Sequence, residues 1–212
     1  MRIFTTALVV FLIGSASSAR ADETVIHKKD RGEVTLALKA GGMVARGFSR
    51  LDGSYVVAAE VGYVLPVLRH HLALAVDAAF SAPHASGSST DPRLTDNSGS
   101  YTWRLEQREL TVGLTLFYRH PIRRVTPYIG IGPRVFFLES KVKGTVGTTN
   151  VAESSEVSTK VGVGIPLGVG FRLGPGDLFI EAQLAISRLE HRTTGDSNTG
   201  SLALLAGYRV FL

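Results

Sequence analysis

Residues 125–137 read VTPYIGIGPRVFF, and the order of side chains within them decides the fold. Ile129, Ile131, Val135 and Phe137 take every second position, while Gly130, Gly132 and Arg134 take the positions between. Period two is the signature of a β-strand, whose successive side chains point to opposite faces. One face of this strand is large and apolar. The other is almost empty, with a single arginine, whereas a face meeting water would carry varied polar groups.

The same alternation runs through the chain and predicts eight strands with no helix between them. Their apolar parity is Val34 to Ala40, Tyr55 to Leu65, Leu72 to Phe80, Leu110 to Tyr118, the stretch above, Val157 to Phe171, Leu178 to Ile186, and Leu202 to Leu212. Short connections marked by Pro or Gly are expected at Pro66–His70, Arg119–Arg124 and Leu173–Gly176. Longer loops are expected at Ala82–Thr102, Gly144–Ser155 and His191–Thr199, with Arg46–Gly53 intermediate. If the strands run up and down, every short turn lies at one end and every longer loop at the other, an asymmetry of transmembrane β-barrels.

Alternation alone leaves open whether the apolar face points inward around a ligand, as in a lipocalin, or outward to lipid. Three observations choose outward. None of the 44 apolar-parity positions is charged, although a chain that is 19% charged would place about eight charges there; a central Lys or Arg facing lipid costs roughly 2–4 kcal/mol. The opposite parity is rich in Gly and Ala, and is interrupted by Lys39, Glu60, Asp77, Glu109, Arg134, Lys160, Glu181 and Arg209. Those four cations and four anions suit a lumen ion-pair network, because an eight-stranded barrel is only wide enough to be filled by side chains and buried charges must be paired. Finally, Tyr63, Tyr118, Phe171 and Tyr208 lie on the apolar parity at the short-turn end, and Phe80 and Phe137 near the other end. Such an aromatic girdle belongs at bilayer interfaces.

Composition sets the remaining bounds. The 212 residues suit one domain, and the formal charge of +5 falls to +3 once Arg2 and Arg20 are set aside with a leader. The pI of about 9.7 is no sign of nucleic-acid binding, since no basic stripe is interleaved with aromatics. MRIFTTALVVFLIGSASSARA has a positive start, an apolar run from Ala7 to Ile13 and an A-x-A spacing at Ala19 and Ala21, so a signal peptide over 1–21 is expected, with cleavage near Ala21. A short periplasmic lead over 22–32 then precedes a barrel over 33–212. The chain has no Cys, which leaves backbone pairing and packing to hold it.

With these features together, the sequence resembles the small eight-stranded bacterial outer-membrane β-barrel family, the group containing the OmpA transmembrane domain, OmpX and the opacity-type proteins. The carriers are Pro127 to Gly132 and the final LLAGYRVFL. The resemblance implies an all-β, eight-stranded, antiparallel up-and-down transmembrane barrel in the bacterial outer membrane. Its implied partners are outer-membrane lipid and lipopolysaccharide, and the barrel-assembly machinery, which reads a C-terminal strand of apolar alternation ending in an aromatic. Here Leu204, Ala206, Tyr208, Val210 and Leu212 keep the alternation, but the last residue is Leu and Phe211 stands one place early.

The leading functional expectation is a structural or surface-interaction barrel whose outer loops are the binding surface, for an extracellular partner the sequence does not specify. The alternative is a lipid A-modifying enzyme, a deacylase or acyltransferase, with Glu190, His191 and Thr193 as candidate catalytic groups. Against it, His191 falls on the lumen parity, a Thr stands where a Ser is expected, and Arg188 and Arg192 suit lipid A phosphates without chemistry. No metal or other cofactor is expected: His27, His70, His71, His84 and His120 lie in the lead, turns and loops rather than in pairs on one strand face. A pore would need more strands, and this lumen reads as filled.

Overall fold

The computed structural model describes residues 32–45, 53–91, 93, 99–146, 149–187 and 200–212. Nine strand segments follow one another: β1 Glu33–Ala45, β2 Ser54–Val64, β3 Leu72–Ser81, β4 His84–Thr90, β5 Ser100–Arg119, β6 Val125–Val146, β7 Thr149–Leu173, β8 Gly176–Ser187 and β9 Ser201–Phe211. Each pairs antiparallel with its neighbour in the order β3-β2-β1-β9-β8-β7-β6-β5-β4, and a further pairing of β3 with β5 closes the sheet. The result is a closed eight-stranded antiparallel barrel.

Nine segments make eight staves because β4 continues β3. Both pair with β5, β3 from Leu72↔Tyr118 to Ser81↔Glu109 and β4 from His84↔Glu106 to Thr90↔Ser100. Between them stand Ala82 and Pro83; proline has no N–H to give the ladder, so the stave breaks there. The Gln107 amide bridges the break by donating to the Pro83 carbonyl at 2.9 Å.

The faces are ordered as the alternation demands. Leu38, Val61, Val76, Leu114, Ile131, Val161 and Ile180 stand exposed on the outside, while Lys39, Glu60, Asp77, Thr115, Arg134 and Glu181, at positions of the opposite parity, are buried inside. An apolar surface exposed over a whole barrel is far beyond the patches a water-soluble monomer carries. On β5 the outward residues from Leu110 to Tyr118 span about 26 Å of strand at ~3.3 Å per residue, or about 20 Å of height at the usual ~40° tilt. Phe80 and Phe137 are both paired with Leu110 at its upper end and Tyr118 is its lower end, so the aromatics bound a band that approaches the ~25 Å of a membrane barrel. Tyr63, Tyr118, Phe171, Phe80 and Phe137 are all exposed on that outer face. Tyr208 is half-buried, its hydroxyl donating to the Leu173 carbonyl at 2.7 Å.

The short end is closed by tight turns. Gly174 has φ of +63°, a left-handed conformation that suits glycine in the Leu173–Gly176 reversal. In the β2–β3 turn, Leu68, Arg69 and His70 all have positive φ, and the backbone is held by His70 N–H to Val67 O at 3.1 Å and His71 N–H to Leu68 O at 3.2 Å.

The other end corrects the expected loops. Much of Ala82–Thr102 and Gly144–Ser155 is strand: β4 and the start of β5 occupy the first, and the β6–β7 hairpin occupies the second. The four strands β4 to β7 therefore rise beyond the rest of the barrel; β6 runs nine residues past Phe137, about 30 Å of strand at ~3.3 Å per residue. Polarity inverts in this part. Arg104, Glu106 and Arg108 are now outward and exposed, with Leu105 and Gln107 buried between them. On β6, Lys143 is outward and exposed, with Glu139 and Lys141 partly so, whereas Phe136, Leu138 and Ser140 are buried. Above the apolar band the outer surface meets water, so the apolar residues must turn inward. A reading that followed outward apolar residues ended these strands at the inversion.

Candidate functional site

Two regions are built for a purpose: the lumen and the projecting sheet. In the lower lumen, β1, β2, β8 and β9 bring Lys39, Glu60, Glu181 and Arg209 into one cluster. Lys39 Nζ donates to Glu60 Oε2 at 3.1 Å and to Glu181 Oε1 at 2.9 Å. Arg209 donates to Glu60 Oε1 through Nη2 at 2.8 Å and Nε at 3.2 Å. Tyr128 completes the chain, its hydroxyl donating to Glu181 Oε2 at 3.0 Å. The Arg209 guanidinium also lies 4.8 Å from the Phe179 ring centroid and 5.2 Å from that of Tyr128, where a cation is attracted by the ring face.

One layer higher, Arg134 meets Asp77 through two parallel bonds, Nη1 to Oδ2 at 2.9 Å and Nη2 to Oδ1 at 3.2 Å. With its amide oxygen turned inward, Gln183 also accepts from this guanidinium, at 2.8 Å from Nη1. The pair has room because glycines flank it: a Cβ on Gly164 would overlap the Arg134 side chain, and one on Gly113 would lie 2.9 Å from Asp77 Oδ1. The empty face of 125–137 has the same cause. A Cβ on Gly130 would stand 2.8 Å from the Phe117 ring, and one on Gly132 would run into the Leu114 backbone. The glycines are the space that larger lumen side chains and neighbouring backbone occupy.

Six of the eight ionisable lumen residues singled out in the sequence thus come together in two ion-paired layers. Glu109 and Lys160 do not join them. Glu109 is buried and accepts from Thr111 Oγ1 at 3.0 Å. Lys160 is half-buried opposite Phe136, at the level where the lumen becomes apolar, and makes no ion pair among the described residues. Sequence reading passes over three further contributors. Gln183 carries no charge to draw attention, and Arg119 and Asp177 sit at strand ends that read as turns. These last two are buried, 3.8 Å apart, and Asp177 also pairs with Arg172 at 3.3 Å.

Above the ion pairs Phe136, Leu138, Leu105, Ala85 and Ala185 form a compact apolar cluster with Trp103 and Val142 against it. Two voids in the lumen below, of about 10 Å³ and 30 Å³, have room for single waters and little more. Among the described residues this interior has no room for a continuous channel or for a lipocalin-like ligand. On the outer face of the projecting sheet, by contrast, a groove of about 600 Å³ is lined by Ser86, Ser88, Thr102, Arg104, Lys143 and Thr145, beside Gly87 and Trp103. The described residues hold no group of three or more His, Cys, Asp or Glu placed to bind a metal. Glu190, His191 and Thr193, like the signal peptide over 1–21 and the lead over 22–31, lie outside the described residues.

An apolar exterior around an ion-paired, filled lumen defines a membrane-spanning β-barrel of eight strands. No protein-family model matches the chain, and no curated protein matches it. Solved structures similar to it are small outer-membrane barrels. They include neisserial surface protein A (16% identity, 84% of this chain and 96% of that one, TM-score 0.46). Another is the attachment invasion locus protein Ail of Yersinia pestis (16%, 84% and 97%, TM-score 0.41). A third is a major outer membrane protein of Thermus thermophilus (12%, 84% and 99%, TM-score 0.45). At such identities the assignment of the chain stands on its own register and faces.

Proposed function

We propose that the protein is a bacterial outer-membrane barrel with a structural and surface-interaction role, a rigid anchor that presents the β4–β7 sheet outside the cell. The observation that carries this reading is the inversion of polarity along β5 and β6. A sheet that is apolar outside up to Leu110 and Phe137, and apolar inside beyond them, is built to leave the bilayer and stand in water. Its groove offers hydroxyls and the cations Arg104 and Lys143, groups that suit polar or anionic surfaces such as lipopolysaccharide or a host glycan. A filled lumen supports anchoring rather than transport.

The test replaces residues 142–154 by Asn-Gly, a two-residue turn that joins Lys141 to Ser155, which are paired in register. Cells carrying the intact or shortened protein are compared for outer-membrane recovery and for binding to lipopolysaccharide-coated and host-cell surfaces. The expected result is equal recovery in the outer membrane and lost binding by the shortened form. Equal binding by both forms sinks the surface role, and recovery of the intact chain in the soluble periplasm sinks the membrane reading. Mass spectrometry of lipid A from the same cells, with a His191→Ala control, is expected to show no acyl chain gained or lost; a change dependent on His191 moves the protein to the enzyme class.

A further inference from the structure

At the short-turn end the barrel mouth opens into a cavity of about 340 Å³ that lies next to the lumen network and shares Arg119 and Val64 with its lowest void. Its cationic lining comes from Arg119 on β5, Arg123 in the β5–β6 turn, Arg172 on β7 and His70 in the β2–β3 turn; Glu33 and Asp177 are its acids. Three arginines against two carboxylates leave an excess of positive charge before the histidine is counted.

The pairing inside the cavity is incomplete. Arg119 is only 8% exposed, yet its Nε has no hydrogen-bond partner, and its contact with Asp177, at 3.8 Å, is too long for a hydrogen bond. Asp177 is shared with Arg172, at 3.3 Å. Both guanidiniums also converge on the Phe211 ring, at 5.2 Å and 4.6 Å from its centroid, so the aromatic one place before the C-terminus serves as their common platform. A buried guanidinium with unused donors is costly unless an acceptor arrives. Two planar guanidiniums side by side match the oxygens of a phosphate better than any neutral group does.

The rim carries a second, independent feature. Val67, Leu68, Ile122 and Leu173 on the turns are 49%, 67%, 53% and 59% exposed, so apolar side chains surround the cationic mouth. Basic groups next to exposed apolar ones match the boundary between lipid headgroups and acyl chains.

We propose that this mouth is a binding site for a phosphate oxyanion, with Arg119 and Arg172 as its principal donors and Arg123 at its entrance. The phosphate can come from an anionic phospholipid of the adjoining leaflet or from a free ion. That this leaflet is the periplasmic one rests on the outer-membrane reading; the oxyanion chemistry does not.

The experiment uses the full chain folded in a maltoside detergent, which brings no phosphate of its own. Inorganic phosphate and a short-chain phosphatidylglycerol are titrated separately while the arginine Nε–H resonances are followed by NMR. The Arg119 resonance is expected to shift in a saturable manner. Arg172→Gln and Arg123→Gln are each expected to weaken binding about tenfold, the loss of one charge-assisted contact. Arg123 lies in a turn, and an unchanged amide spectrum shows that its variant folds. A response to both ligands supports a general oxyanion site, and a response to the lipid alone supports a headgroup site. No Arg119 shift with either ligand, or full-strength binding by both variants, overturns the proposal. Since the titration is independent of cellular location, its failure leaves the outer-membrane reading untouched, and the reverse holds too.

Discussion

Arg134→Met removes the cation from the middle of the lumen while keeping much of the side-chain volume. Arg134 and Asp77 are 2% and 3% exposed, and the substitution deletes both bonds to the carboxylate together with the donor to Gln183. Asp77 stands directly opposite Glu60 in the β2–β3 register, so it would be left as a buried carboxylate facing another. Lys39 and Arg209 are already bonded to Glu60 and Glu181, so neither replaces the two direct bonds that Asp77 loses. Removing one partner of a buried pair costs about 3–5 kcal/mol, whereas replacing both by apolar groups is often neutral or stabilising. The expected order is therefore wild type and Asp77→Leu/Arg134→Met within about 1.5 kcal/mol of each other, with Arg134→Met lower by about 3–5 kcal/mol. Urea unfolding in lipid vesicles, followed by the gel-mobility shift between folded and unfolded forms, measures this. A single variant within 1 kcal/mol of wild type, or a double variant no better than the single, refutes the reasoning that this pair is buried and mutually dependent.

Three further outcomes follow from the same geometry. Leu114→Arg places a charge in the apolar band and is expected to cost roughly 2–4 kcal/mol; Ser88→Arg, exposed on the same outward face but above the band, should change stability by less than about 0.5 kcal/mol, and equal costs would show that the boundary is misplaced. Gly132→Ala drives a methyl group against the Leu114 backbone, which cannot swing aside, and is expected to lower stability by about 1–3 kcal/mol in the same unfolding assay. In planar bilayers the folded protein is expected to give no porin-sized conductance steps, because its lumen voids are water-sized; long-lived steps of that kind would contradict the packed interior.

How far the sequence speaks depends on how local each feature is. Strand existence and facing were legible because alternation is written into neighbouring residues, as Ile129 to Phe137 show. Which lumen charges touch was not, since Arg134 finds Asp77 across 57 residues and Arg209 finds Glu60 across 149. Such distances are set by barrel closure and shear. The projecting strands were legible in principle: Trp103, Leu105 and Gln107 alternate with Arg104, Glu106 and Arg108 as cleanly as any pair of faces in the barrel. A reading that follows outward apolar residues leaves 103–108 out of the strand and makes loops of Ala82–Thr102 and Gly144–Ser155, because the apolar residues change sides. Arg119 was lost for a different reason, since it ends its strand beside the His120–Pro121 turn and reads as solvated.

The change of sides along β5 and β6 also fixes where the barrel floats. Sinking by one outward residue, about 5 Å of height for ~6.6 Å of tilted strand, would draw Arg108 and Glu139 into hydrocarbon. Rising by the same step would lift Leu110 and Phe137 into water. Either displacement is opposed by charge on one side and oil on the other, so the protein behaves as a gauge with a single mark. The groove at Arg104 and Lys143 is then held at a constant stand-off from the lipid surface, and whatever meets it must reach that height.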